Sequence, residues 1–485
     1  MKRALWFACA ALTASGCVVG PNYRGPPADA SVSPTFHRTD DVIVDSQPAV
    51  QWWTALDDHE LNQLVETALR GSPNIAVAQA RLRQARAVLK EQRANELPNT
   101  GVDAAYLRTR NLTSLLGGSS SGSSVGNGSS GGGGTQNSSA FSLYAVGFDA
   151  TWEIDFWGAH ARAAEGAAAA TQGARANLAD VQVGLSAEVA QAYIRLRDAQ
   201  QRMLLTERNI DIETRVVDLV RIRRAGGTAS ELDLQRFVNQ LDSTRATLAP
   251  LRAAIAEQLN RLALLSGRAP GALDEELAST AEVPAPPTRV VIGDPAAMLR
   301  RRPDIVVAER RLAQQTAAVG ESVAALFPKV TLLGDVGFTS LSASTLFDGS
   351  SFTYIAAPIL QWTPLDFGRN RARIAQAGAA REEAEANYRE TVLAALQDAE
   401  TSLAQYAEQR NSVQDMARVK DSAERVYALT EVRLRGGTAA TIDVLDADAR
   451  RVQADLSYEQ ALAQLTEYYV SLQKSLGLGW TDSGH

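Results

Sequence analysis

The sequence predicts a mainly α-helical chain with a smaller β part suited to a membrane, and three observations predict it. Two halves of the chain repeat one plan. Each half holds a long proline-free stretch rich in Ala, Arg, Glu and Gln, from about Gly158 to Arg224 and from about Gly368 to Arg435. Each half also sets short segments of alternating apolar and polar residues ahead of that stretch.

The N-terminus comes first. Lys2 and Arg3 precede an apolar run from Ala4 to Leu12 that ends in Ala14, Ser15 and Gly16, the layout of a secretory signal rather than a membrane span. Cys17 follows, and small residues before a cysteine at the end of an apolar run resemble the processing site of bacterial lipoproteins, so residues 1–16 are expected to be cleaved and Cys17 acylated. By the same resemblance, Val18 in place of Asp after that cysteine favours the outer membrane over the inner. The other cysteine, Cys9, falls within the signal, so no intramolecular disulfide is expected. Removal of Lys2 and Arg3 leaves 46 basic against 55 acidic side chains, a net charge of about −9, which argues against a nucleic-acid partner. Beyond the signal there is no apolar run of about 18 residues, so any membrane crossing has to be made by strands.

Residues 17–50 read as an extended N-terminal segment, 51–267 as the first repeat, 268–294 as a connector carrying the Pro-Ala-Pro-Pro run that ends at Pro287, 295–477 as the second repeat and 478–485 as a tail. The repeat shows in matched segments. Ser72-Pro73-Asn74-Ile75 is echoed by Arg302-Pro303-Asp304-Ile305 and Arg81-Leu82 by Arg311-Leu312, at an offset of 230. Further on the offset is about 210: Gly158 matches Gly368, Gly226-Gly227-Thr228 matches Gly436-Gly437-Thr438, and Asp233 matches Asp443. The first half therefore carries an insertion, the Gly/Ser/Asn segment 117–139, which buries too little apolar surface to offset its ordering entropy and reads as a loop.

Each long stretch would form a helix on the order of 100 Å at ~1.5 Å per residue. In the second, Tyr388, Val392, Leu396, Ala399, Leu403 and Tyr406, then Val413, Met416, Val419, Ala423 and Val426, recur at spacings of three and four, a coiled-coil seam. The Gly-Gly pairs end these helices, with tips near 225–228 and 435–438, and Thr228 with Glu231 three residues on predicts the cap of the returning helix.

The strands are expected at about 101–110, 140–154, 329–341 and 350–363. The clearest sets Tyr144, Val146, Phe148, Ala150, Trp152 and Ile154 on one face against Ala145, Gly147, Asp149, Thr151 and Glu153 on the other. Four strands cannot close a barrel, and an open edge in hydrocarbon leaves backbone groups unpaired at several kcal/mol each, so closure needs further copies of the chain. Two copies give a side-chain-filled barrel and three a wider lumen. A conduit favours three.

Enzyme chemistry finds no support. The histidines His37, His59, His160 and His485 have no metal-ligand spacing, and there is no phosphate loop, nucleophile elbow or dinucleotide fingerprint, so no catalytic residue, metal site or cofactor is expected. A periplasmic coiled-coil adaptor or scaffold lipoprotein would share the signal and the helices, but not paired amphipathic strands in both halves.

Four motifs stand along the chain: Cys17-Val18-Val19-Gly20-Pro21-Asn22-Tyr23, Trp52-Trp53 leading to Leu61 and Leu64, Leu299-Arg300-Arg301-Arg302-Pro303-Asp304-Ile305, and the pairs Asp155-Phe156 and Asp366-Phe367. Together they resemble the TolC-like outer-membrane efflux factors, in particular the NodT-type lipoprotein branch serving resistance-nodulation-division pumps. The resemblance covers nearly the whole mature chain. It implies a homotrimer whose twelve strands form one outer-membrane barrel above a helical periplasmic tunnel, docked to a periplasmic adaptor and an inner-membrane pump and exporting small molecules; protein export by a type I system is the alternative. It also implies a periplasmic gate of carboxylates, placed here at Asp443 and Asp446, with Asp233 at the position of an inter-hairpin latch. The latch Arg and Tyr positions are Ala439 and Leu434 in this chain, with Arg433, Arg435, Arg223 and Arg224 nearby.

Overall fold

A computed structural model describes residues 18–26, 35–38, 43–44, 49–109 and 141–480. The signal, Cys17, the Gly/Ser segment 117–139 and the end of the tail, residues 481–485, lie outside the described residues. The chain divides into two compact units, one of residues 1–24, 87–168 and 313–382, the other of residues 25–86, 169–312 and 383–485.

The first unit holds a four-stranded antiparallel sheet of β2 (Asn99–Thr109), β3 (Phe141–Ile154), β5 (Lys329–Ser340) and β6 (Phe352–Gln361), in the order β2-β3-β5-β6. Val102 pairs with Phe148, Phe148 with Val336, and Val336 with Tyr354, so one face collects the even-numbered residues of all four strands. Among the described residues, β2 and β6 each leave one edge unpaired. Beside the sheet, buried Arg162 binds the N-terminal segment through Val19 O (3.2 Å), Gly20 O (3.3 Å) and Asn22 Oδ1 (2.6 Å). Gly320 permits this: a Cβ there would lie 2.8 Å from the Arg162 Nε.

The second unit is helical. Its core gathers Trp52, Trp53, Leu61, Val65, Tyr193, Ile194, Leu262, Leu403, Tyr469 and Leu472, so the tryptophan pair of the N-terminal motif is structural. A two-residue parallel pairing of β1 (Ile43–Val44) with β4 (Val290–Val291) ties the connector to the N-terminal segment. Fully buried Arg197 is neutralised by Glu60 and donates to Gln200 Oε1 (2.8 Å) and Ser279 O (2.6 Å).

The helices are α1 (His59–Gly71), α2 (Pro73–Ala94), α3 (Ala159–Ala225), α4 (Glu231–Ala246), α5 (Leu248–Leu265), α6 (Pro295–Arg301), α7 (Pro303–Ala324), α8 (Arg369–Arg435) and α9 (Thr441–Ser475). Three sequence readings change. The returning helix of the first repeat is interrupted at Thr247, three residues before Pro250, because proline has no N–H to donate back to Ala246 O; its counterpart α9 is continuous. The last strand is shorter than expected, since residues Gly349–Ser351 form a 3-10 turn. The seam on α8 is buried only at Tyr388, Val392, Ala399, Leu403 and Tyr406, whereas Val419 and Val426 stay half exposed. Periodicity reports an apolar stripe but not whether the same chain covers it.

Candidate functional site

Two regions carry the chemistry of a conduit: the sheet and the hairpin tips. On the even face of the sheet, aromatic side chains gather at both ends. Tyr106 and Tyr144 lie 4.9 Å apart, and Phe338 meets Phe352 at 5.7 Å. At the opposite end Trp152 donates its indole N–H to Glu96 O (2.9 Å) and Trp362 donates to Leu326 O (3.1 Å). Trp157 beside them donates to Pro328 O (2.9 Å) and stacks on Phe327 at 4.4 Å. Eight residues separate Tyr144 from Trp152, ~27 Å along a strand, with Val146, Phe148 and Ala150 between. An apolar band of about that height between aromatic girdles is what a bilayer selects.

The odd face is polar on β3, with Asp149, Thr151 and Glu153, and on β5, with Lys329, Thr331, Asp335 and Thr339; Glu153 pairs with Lys329 at 3.1 Å. Asp149 stands opposite Asp335. Strand β6 departs from clean alternation, because Ile355 and Ile359 fall on this face as well.

At the first tip α3 ends in a left-handed Gly227 (φ +74°), and Thr228 turns both its N–H (2.8 Å) and its hydroxyl (3.0 Å) back onto Arg223 O. Thr228 is thereby consumed in closing α3 and does not cap the next helix as the sequence suggested. Ser230 does. Its hydroxyl accepts from Asp233 N (3.1 Å), while Asp233 Oδ2 accepts from Ser230 N (3.2 Å) and from Ser230 Oγ (2.7 Å). The Ser230 hydrogen bonds hold the Asp233 carboxyl below its ordinary range. Glu231, the residue expected in the cap, instead pairs with Arg224 at 2.7 Å.

The second tip repeats the turn, with Gly437 at φ +73° and Thr438 N on Arg433 O at 2.9 Å. Ala440 occupies the cap position and has no oxygen to offer, so only Asp443 Oδ2 to Ala440 N (2.8 Å) remains of the reciprocal pair. Asp446, one turn on along the same helix face, lies 3.1 Å from Arg450. Ile442 and Leu445 pack on Val216, Val217, Val220, Leu234 and Leu241 of the first hairpin. Between the hairpins a cavity of about 290 Å³ is bordered by Asp443, Asp446 and Glu213. Sequence reasoning missed Glu213. It is only 8% exposed; its Oε1 accepts from Asn209 (3.2 Å) and Gln240 (3.3 Å), and its Oε2 has no hydrogen-bond partner among the described residues. No local signal marked it, since Gln240 lies on another helix.

The structure thus brings Asp443 and Asp446 together and sets Asp233 on the other hairpin, tied to Ser230. Of the basic residues near the latch positions, Arg433 donates to Thr438 O (3.3 Å) and Arg435 pairs with Glu431 (3.3 Å), each within its own hairpin. Cys17 lies outside the described residues.

A sheet with one lipid-suited face, two open edges and long helical hairpins defines a protomer of an outer-membrane duct. The family description "Outer membrane efflux protein" matches residues 64–268 and 295–478, and the chain belongs to that family. It is similar to the pyoverdine export outer membrane protein OpmQ of Pseudomonas putida, 31% identical over 89% of this chain and 89% of that protein. It is also similar to nodulation protein T of Rhizobium leguminosarum bv. trifolii, 28% identical over 97% of this chain and 96% of that one. Among solved structures, the outer-membrane channel OprN superposes with a TM-score of 0.83 at 32% identity, covering 96% of this chain and all of that one. The chain is accordingly a TolC-like efflux channel of the outer membrane, trimeric, and works with a periplasmic adaptor and an inner-membrane pump. Its relatives are channels. Three copies account for the open strand edges.

Proposed function

We propose that the trimer is a passive duct for small molecules, anchored by an acylated Cys17 and narrowed at its periplasmic mouth by the carboxylates of Asp443 and Asp446. The observation that carries the gate is their position one turn apart behind an under-capped tip, which three-fold symmetry would turn into two stacked rings of negative potential. Asp233 acts differently in this reading, as the cap that stiffens the neighbouring hairpin. Ala439 and Leu434 supply no latch, so packing of Ile442 and Leu445 on the first hairpin takes over that role. No catalytic step is assigned to the duct. Reconstituted trimers should conduct poorly and prefer cations, and Asp443→Ala with Asp446→Ala should raise conductance and weaken that preference. Unchanged conductance and selectivity in the double variant would sink the ring assignment.

Cargo follows from the pump, since a wide polar lumen selects weakly. Names such as pyoverdine export for one relative and antibiotic efflux for another support small organic cargo. A strain lacking the chain should be sensitised to a panel of antibiotics, dyes and detergents and rescued by the intact chain. An unchanged panel with a missing secreted protein would move the assignment to protein export.

A further inference from the structure

The three consecutive arginines of the Leu299–Ile305 motif are not explained by the duct, and they divide between two environments. Arg302 turns onto carboxylates, Asp304 at 2.7 Å and Asp398 at 3.5 Å, and donates to Ser475 O at 2.6 Å. Its charge is matched. Arg301, one residue earlier, gives its fork to a neutral acceptor, Leu476 O, at 3.2 and 2.9 Å. Burial pushes the Arg301 guanidinium below its usual range, with only Asp294 pulling the other way.

Arg301 borders a cavity of about 560 Å³ that also takes in Arg83, Arg86, Arg175, Arg300 and Arg310. Six arginines line this space against one carboxylate residue among the described residues of its wall, Glu309, which pairs with Arg310. Arg83 and Arg300 are exposed and have no ion-pair partner among the described residues. Leu82 and Val306 give the wall an apolar patch, and Trp480 adds an aromatic one. The cluster runs against the chain as a whole, which carries a formal net charge of −7. Its arginines come from both repeats, and Arg301 and Arg302 have no basic counterpart in the first: at the offset of 230, Gly71 and Ser72 stand at their positions.

Guanidinium forks match carboxylate and phosphate oxygens two at a time, and several around one space favour a ligand with more than one such group. The volume is that of a small-molecule site. We infer that this cavity binds a compact polyanion bearing two or more phosphate or carboxylate groups, a function separate from passing cargo. Arg83, Arg300 and Arg301 grip its oxygens, and Leu82, Val306 and Trp480 cover its body.

The test is calorimetric titration of the detergent-purified trimer with inorganic pyrophosphate and, separately, with citrate. Saturable binding of either probe, near one per chain and weakening as salt rises, is expected; the probe that binds more tightly assigns the site to phosphate or to carboxylate. Arg83→Gln with Arg300→Gln should weaken it at least tenfold. Arg236→Gln with Arg418→Gln, which removes the same charge from exposed helix surfaces elsewhere, should leave it within about twofold. If the double cavity variant fails to form trimers, Arg83→Gln alone provides the comparison, as that side chain is exposed. Absence of binding by both probes, or equal losses in the cavity and control variants, would overturn the assignment.

Discussion

The two hairpin tips share a turn and differ in what holds the turn in place. Both close on a left-handed glycine with a threonine bonded back to an arginine carbonyl. The first then adds a reciprocal Ser230/Asp233 cap and an Arg224–Glu231 ion pair, all within one hairpin. At the matched positions the second has Ala440, Leu434 and Thr441, and where the first has Arg236 the second has Asp446. The first tip is therefore fixed by its own residues. The second has half of that cap, leans on the first hairpin through Ile442 and Leu445, and carries Asp443 and Asp446 one turn apart. A mouth that has to open is better served by an element held from outside than by one locked within itself.

The largest effect should come from the glycines. Alanine in the left-handed region costs about 1–2 kcal/mol, so Gly227→Ala and Gly437→Ala should loosen their tips by similar amounts in native-state hydrogen exchange. Conductance should separate them, rising for Gly437→Ala and staying near wild type for Gly227→Ala. Equal rises would abolish the functional distinction between the tips. Next in size are the caps. Ser230→Ala should cost about 1 kcal/mol of local stability, and Ala440→Ser should return a similar amount to the second tip and lower the open fraction.

The layout that makes these comparisons possible was largely legible in the chain. Gly-Gly-Thr at a fixed offset marked both turns, and alternation around Phe148 and Val336 gave the lipid-suited face, because both depend on residues close in sequence. What escaped depends on choices among neighbours. Thr228 and Ser230 are both good caps, and only the structure shows Thr228 already committed to Arg223 O. The break between α4 and α5 follows from Pro250, whose match in the second repeat is Gln460, where α9 runs unbroken. Glu213 was invisible because its environment is assembled from α3, α4 and α9. The basic cavity was half visible: Arg300 and Arg301 stood in a motif, but Arg83 and Arg175 gave no sign that they would meet them.

The smallest expected effect concerns pH and tests the first tip's independence. Asp233 titrates below its ordinary range because Ser230 hydrogen-bonds its charged form, so the cap's contribution is complete above the unfolded carboxyl value of 3.8 and is lost as pH falls through the lower folded value. Ser230→Ala removes that dependence. Hydrogen exchange at the amides of residues 231–234, compared between pH 6 and the lowest pH the trimer survives, should show protection falling in the wild type and nearly level in the variant. The second tip, with Ala440 at its cap position, is read at residues 441–444 for comparison. If the two tips lost protection in parallel, the Ser230 hydroxyl would not be the group that distinguishes them, and the difference would have to be sought in the Arg224–Glu231 pair.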